Sequence, residues 1–89
     1  MTEITTAVRL TVRFFAAARA AAGADTLTLT RPPGTTVADI VGELSDQSEE
    51  MRLVLRKCSF LCDGITVRDS GTVLRAGQTV DVLPPFAGG

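Results

Sequence analysis

The sequence predicts an α+β domain: an open mixed sheet of about five strands, covered by one main helix and a short second one. Three stretches predict it. Val8, Leu10, Val12 and Phe14 alternate with Arg9, Thr11 and Arg13, the period of two of a strand with one buried face. Val37, Ile40, Val41 and Leu44 recur at i, i+3, i+4 and i+7, the apolar stripe of a helix. Asp63-Gly64 between two apolar runs is the signal of a two-residue type I′ hairpin.

The elements follow in order. After the first strand, the Ala-rich run from Phe15 to Ala22 favours a helical turn, with Gly23 as its C-cap. A second strand covers Thr26 to Thr30 with Leu27 and Leu29 inward, and Pro32-Pro33-Gly34 ends its ladder because proline donates no backbone bond. Thr36 and Asp39 form a capping box at the start of the main helix. The short helix spans Ser48 to Lys57, with Glu49 and Glu50 in its first turn and Arg56 and Lys57 in its last, as the helix dipole favours. Asp69 to Gly77 is a turn-rich connection anchored by Val73 and Leu74, and a final strand from Gln78 to Leu83 turns Val80 and Val82 inward.

Hairpin parity extends the reading to single side chains. The type I′ turn sets Cys62 opposite Ile65 and Phe60 opposite Val67, so Ile65, Val67, Phe60, Cys62 and Cys58 face the core while Ser59 and Leu61 face outward. Cys58 and Cys62, four residues apart on one strand, are separated by ~13 Å at ~3.3 Å per residue. A disulfide needs Cα atoms within ~7 Å. The two thiols therefore read as small core hydrophobes rather than a redox pair.

Composition excludes most chemistries. The chain has 89 residues, 9 Lys+Arg against 10 Asp+Glu and no His. A single domain of this size buries somewhat over ~60% of its unfolded surface and can hold its own core. Without clustered Lys/Arg, nucleic acid is not the expected partner. Without His there is no imidazole acid–base catalysis, no Ser-His-Asp triad and no His-ligated metal, and two Cys do not complete a zinc site. The apolar stretch from Phe14 to Ala24 is too short for a membrane span and carries Arg19. No signal peptide is legible, so the expected compartment is the cytoplasm. No bound metal or cofactor is expected.

Attention then falls on the end of the chain. Residues 1–83 read as the domain and residues 84–89, Pro-Pro-Phe-Ala-Gly-Gly, as an extended tail. Pro84 and Pro85 stop the ladder and hold the tail away from the body. Ala87, Gly88 and Gly89 carry almost no side chain, so they can thread a narrow channel and deliver a carboxylate to its end. That carboxylate could be activated as an acyl-adenylate and attacked by an amine or a sulfur nucleophile. A glycine-rich end is also what an ordinary frayed terminus looks like.

The order of these motifs resembles the ubiquitin-like β-grasp sulfur carriers over nearly the whole chain. The residues carrying the resemblance are Val12-Arg13-Phe14-Phe15-Ala16-Ala17-Ala18-Arg19, Cys58-Ser59-Phe60-Leu61-Cys62-Asp63-Gly64 and Leu83-Pro84-Pro85-Phe86-Ala87-Gly88-Gly89. Among those families it is most similar to the small subunits of molybdopterin synthase, whose tail reads Pro-Pro, an apolar residue, a small or polar one, and Gly-Gly. The resemblance implies that an adenylating enzyme related to ubiquitin-activating enzymes uses ATP to convert the Gly89 carboxylate to an acyl-adenylate. A sulfurtransferase or cysteine desulfurase then supplies sulfur, giving a thiocarboxylate. Within the large subunit, that group passes its sulfur to cyclic pyranopterin monophosphate. On this reading the chain is no catalyst by itself. Carriers for thiamine or cysteine biosynthesis, and ubiquitin-like protein modifiers, share the fold and the Gly-Gly end.

Docking residues are expected at two positions. Leu61 is apolar on an outward-facing strand position, and Phe86 lies past two prolines, beyond reach of the domain's own core. Both are expected to bury apolar area against the large subunit and the adenylating enzyme.

Overall fold

The computed structural model of the chain describes residues 7–85. Its elements are β1 (Val8–Phe14), α1 (Ala16–Ala22), β2 (Thr26–Arg31), α2 (Val37–Ser45), α3 (Glu49–Leu55), β3 (Ser59–Cys62), β4 (Ile65–Thr66) and β5 (Thr79–Leu83). They form a five-stranded mixed sheet in the order β2-β1-β5-β3-β4. β1 pairs antiparallel with β2 and parallel with β5, while β3 pairs antiparallel with both β5 and β4. This is the α+β, ubiquitin-like β-grasp architecture.

One face of the sheet carries the core. Leu10, Val12 and Phe14 of β1, Leu29 of β2, and Val80 and Val82 of β5 are buried against Val37, Ile40 and Leu44 of α2, Met51 and Leu55 of α3, and Ala18 of α1. The alternation along β1 puts its even residues on this face and leaves Arg9, Thr11 and Arg13 on the other. Truncating a core leucine such as Leu10 to Ala would cost about 2–5 kcal/mol.

Caps set the helix starts. The Thr36 hydroxyl accepts from the Asp39 amide at 3.1 Å, and the Asp39 carboxylate accepts from the Thr36 amide at 3.0 Å, the full capping box. The Ser48 hydroxyl accepts from the Met51 amide at 3.0 Å and starts α3. α1 ends at Gly23, whose φ of 76° is left-handed, and its amide donates to the Arg19 carbonyl at 2.9 Å. α3 stops at Leu55 with Arg56 as its C-cap, so Arg56 and Lys57 lie just beyond the last turn expected to contain them. The Ala-rich run is a helix in its own right, which makes three helices among the described residues where the sequence predicted a main one, a short one and a helical turn.

The hairpin has the expected turn. Asp63 and Gly64 take φ of 50° and 85°, and Cys62 faces Ile65 in the register. The Asp63 side chain also accepts from the Thr79 amide at 2.9 Å, tying the turn to the start of β5. Two burial expectations fail here. Ile65 shares the inner face with Cys62 yet is 73% exposed, because β4 is a two-residue edge strand and parity buries a side chain only where a layer covers it. Val73 is 51% exposed: its backbone bridges Thr36, and Leu74 alone anchors that connection in the core.

Candidate functional site

The site is built around the end of β5. This strand lies inside the sheet, between β1 and β3, and the Phe15 amide still donates to the Val82 carbonyl at 3.2 Å. The ladder ends at Leu83. Pro84 is half-buried and Pro85 exposed, and neither has an N–H to continue the pairing. The prolines emerge between two apolar grooves. One, of about 430 Å³, is lined by Phe15, Ala16, Ala17 and Leu83; the other, of about 300 Å³, by Ala17, Leu53, Val54 and Lys57. Ala16, in the lining of the first groove, has a φ of 51°, a left-handed backbone that disfavours any residue with a Cβ. Phe86, Ala87, Gly88 and Gly89, the residues expected to thread a partner, lie outside the described residues.

The outer face of the sheet next to this exit has its own structure. Asp81 is 7% exposed although it points away from the core. The Arg13 guanidinium binds it in bidentate fashion, Nε to Oδ1 at 2.6 Å and Nη2 to Oδ2 at 2.8 Å. Hydrogen bonding to Asp81, aided by its charge, raises the Arg13 pKa above its ordinary value. The same guanidinium sits 5.7 Å from the centre of the Phe15 ring. Leu61 stands directly across from Asp81 in the β3–β5 register and from Thr66 in the β3–β4 register. It is on the outer face, as parity requires, but half-buried. Leu61, Leu83 and Phe15 thus frame a neutralised ion pair, a surface that can be dried by a partner without stranding a charge.

Sequence reasoning missed Arg13, Asp81 and Phe15. The signal available was Asp81 itself, a carboxylate flanked by Val80 and Val82 in a strand. Its partner was not legible, because Arg13 and Asp81 are 68 positions apart and meet only once β1 and β5 are neighbours.

The thiols behave as core groups. Cys58 and Cys62 are free and half-buried, and both pack against the core cluster. The Cys58 Sγ–H donates to the Val54 carbonyl at 3.2 Å. Burial pushes both thiols above their ordinary pKa, with the Asp63 charge adding to the shift at Cys62. Raised thiol pKa values oppose the thiolate that nucleophilic cysteine chemistry needs. Among the described residues there is no cluster of three or more His, Cys, Asp or Glu placed to hold a metal ion, and no helix is long and apolar enough to cross a membrane.

A family model, described as the ThiS family, matches residues 12–89. The chain belongs to the ThiS family. It is therefore a ThiS-like sulfur-carrier domain of ubiquitin-like fold. No curated protein matches the sequence significantly. Solved structures extend the comparison to the whole fold. A candidate molybdopterin converting factor, subunit 1, from Pyrococcus furiosus superposes with a TM-score of 0.79 at 25% identity, covering 89% of this chain and 99% of that one. Small archaeal modifier protein 1 from Methanosarcina acetivorans gives 0.78 at 24% identity, over 93% and 98%. A complex of subunits 1 and 2 of molybdopterin-converting factor from Helicobacter pylori gives 0.70 at 20% identity, over 92% and 100%.

Proposed function

We propose that this ThiS-family chain carries sulfur for molybdenum cofactor biosynthesis. The carrying observation is the exit of β5: an internal strand that stops at Leu83 and hands over to Pro84-Pro85 between two apolar grooves. An adenylating partner takes the Gly89 carboxylate and ATP to an acyl-adenylate, releasing pyrophosphate. A persulfide on a sulfurtransferase or cysteine desulfurase attacks the acyl carbon and AMP leaves; a second thiol then cleaves the resulting acyl disulfide, giving the thiocarboxylate and a disulfide. The tail then enters the large subunit of molybdopterin synthase, whose own residues supply acid–base chemistry while the thiocarboxylate gives its sulfur to cyclic pyranopterin monophosphate. Likeness to a candidate molybdopterin converting factor subunit supports this reading, as does a subunit 1–subunit 2 complex with the same fold. The outer face framed by Phe15, Leu61 and Leu83 is the docking surface that this reading requires, and Phe86 is the second contact expected from the sequence.

Likeness to a small archaeal modifier protein favours a second reading, conjugation of Gly89 to lysines on other proteins. Mass spectrometry of the protein from its native host separates the two. A gain of ~16 Da, oxygen replaced by sulfur on an acyl-adenylate-derived end, is the expected result. High-mass adducts without that shift would replace the carrier reading. Deleting Gly89, or adding one residue after it, should abolish adenylation with thermal stability unchanged.

A further inference from the structure

Among the described residues β2 is an edge strand, six residues long, and its open side is defined by the pairing of β1. The Thr11 amide donates to Gln78 and the Phe15 amide to Val82, so the odd residues of β1 bond toward β5. The Phe14 amide donates to the Asp25 carbonyl, so the even residues bond toward β2. Val8, Leu10 and Val12 face Arg31, Leu29 and Leu27 in the register, and these are the hydrogen-bonded pairs. The N–H and C=O groups of Thr26, Thr28 and Thr30 consequently point out of the sheet. Such a row is a template for another strand. One of its groups, the Thr30 carbonyl, is held at 2.7 Å by an Nη1–H of Arg31, whose other arm binds Glu43.

We infer that a second copy of this chain pairs with β2 through this edge, antiparallel and two-fold symmetric about Thr28, making one continuous sheet. The register follows from the outward groups. Centring on Thr28 is the arrangement that engages all three threonines: Thr28 with Thr28, and Thr26 with Thr30 twice, each pair exchanging two backbone bonds. That register sets Leu27 of one copy opposite Leu29 of the other, extending the apolar inner face. It also sets Asp25 opposite Arg31, and does so twice by symmetry.

Charge complementarity is what selects a second copy over an unrelated strand. Asp25 is bound by Arg19 within its own chain at 3.1 Å, and Arg31 by Glu43. Across the junction the order becomes Arg19, Asp25, Arg31, Glu43, alternating in sign throughout. The Arg31 arm that caps Thr30 is the one that turns to Asp25, which frees the Thr30 carbonyl for the Thr26 amide of the other copy. β1 separates this edge from β5, so the pairing leaves the Pro84-Pro85 exit open.

Sedimentation equilibrium on the full chain, from about 10 μM to about 1 mM, tests it, since a dimer held by ~4 kcal/mol or more becomes populated within that range. The expected result is a concentration-dependent dimer, weakened by salt, with the Thr26, Thr28 and Thr30 amides gaining exchange protection as it forms. Thr28→Pro removes an outward N–H and no bond among the described residues, so it should be monomeric with an unchanged far-UV spectrum. Asp25→Arg sets like charges opposite each other and should weaken the dimer tenfold or more, and Asp25→Arg with Arg31→Asp should restore it. A chain that stays monomeric at about 1 mM overturns the inference and leaves the edge to a different protein's strand. A dimer that forms unchanged in folded Thr28→Pro, or in Asp25→Arg, overturns it equally.

Discussion

Replacing Ala16 with Gly should stabilise this domain, and replacing Ala18 with Gly should destabilise it, although the two sites are a half-turn apart in one short helix. Ala16 has φ of 51°. A Cβ in that left-handed region costs roughly 1–2 kcal/mol, which glycine avoids. Glycine loses more backbone entropy on folding, about 0.5–1 kcal/mol relative to Ala, which offsets part of the gain. The net expectation is a stabilisation of about 0.5–1 kcal/mol. Ala18 lies inside α1 and is 0% exposed. There glycine loses ~1 kcal/mol of helix propensity and about 0.8 kcal/mol for one buried methyl, for ~2 kcal/mol of destabilisation. At ~4–8 °C per kcal/mol, the Tm should rise by ~2–8 °C in one variant and fall by ~8–16 °C in the other. Urea unfolding with unchanged m-values would show that stability has changed without a change in the compactness of either state. If Ala16→Gly lowers stability as Ala18→Gly does, the left-handed turn in the lining of the Pro84-Pro85 groove is not there.

Three further outcomes are expected. Cys58→Ala with Cys62→Ala should lower stability by at most a few kcal/mol and retain sulfur transfer in the assembled enzyme, with slow thiol labelling of the native wild type; a folded variant unable to carry sulfur would point to a cysteine relay. On the proposed function, Leu61→Asp places a charge beside the Arg13–Asp81 pair and should weaken binding to the large subunit, and Phe86→Ala should do so by ~1–3 kcal/mol, without unfolding the monomer. Calorimetric titration reads both, and unchanged affinities would move the docking surface elsewhere. The Glu43 carboxyl is held below its ordinary pKa, first by its hydrogen bond to Arg31, so its contribution is present above the unfolded pKa near 4.5 and is lost as pH falls through the lower folded value. Because the pair is partly exposed, with side chains 31% and 41% accessible, Glu43→Gln should cost no more than about 1 kcal/mol at pH 7 and flatten the fall in stability below pH 4.5, and an unaltered pH profile would show that the pair contributes nothing.

The sequence by itself determined the features whose causes are local. The alternation of Val8 to Phe14, the Thr36–Asp39 capping box, the Gly23 cap and the Asp63-Gly64 turn each depend on residues within a few positions of one another, and each is where the pattern put it. Parity along those strands also gave the correct face for Leu61, Val80 and Val82. Tertiary structure decided what depends on which strands are neighbours and where the helical layer ends. Ile65 lies on the face that parity assigns, yet it is exposed because β4 is the short outermost strand. Asp81 is buried on the outer face only because the β1–β5 pairing brings Arg13 to it from 68 positions away. The left-handed Ala16 left no mark in an alanine run, since its backbone is set by the demand that β1 end against β5 and α1 begin at once. Local patterns encode period and turn chemistry; adjacency in a sheet is a property of the whole chain closing on its core, and no window of the sequence contains it.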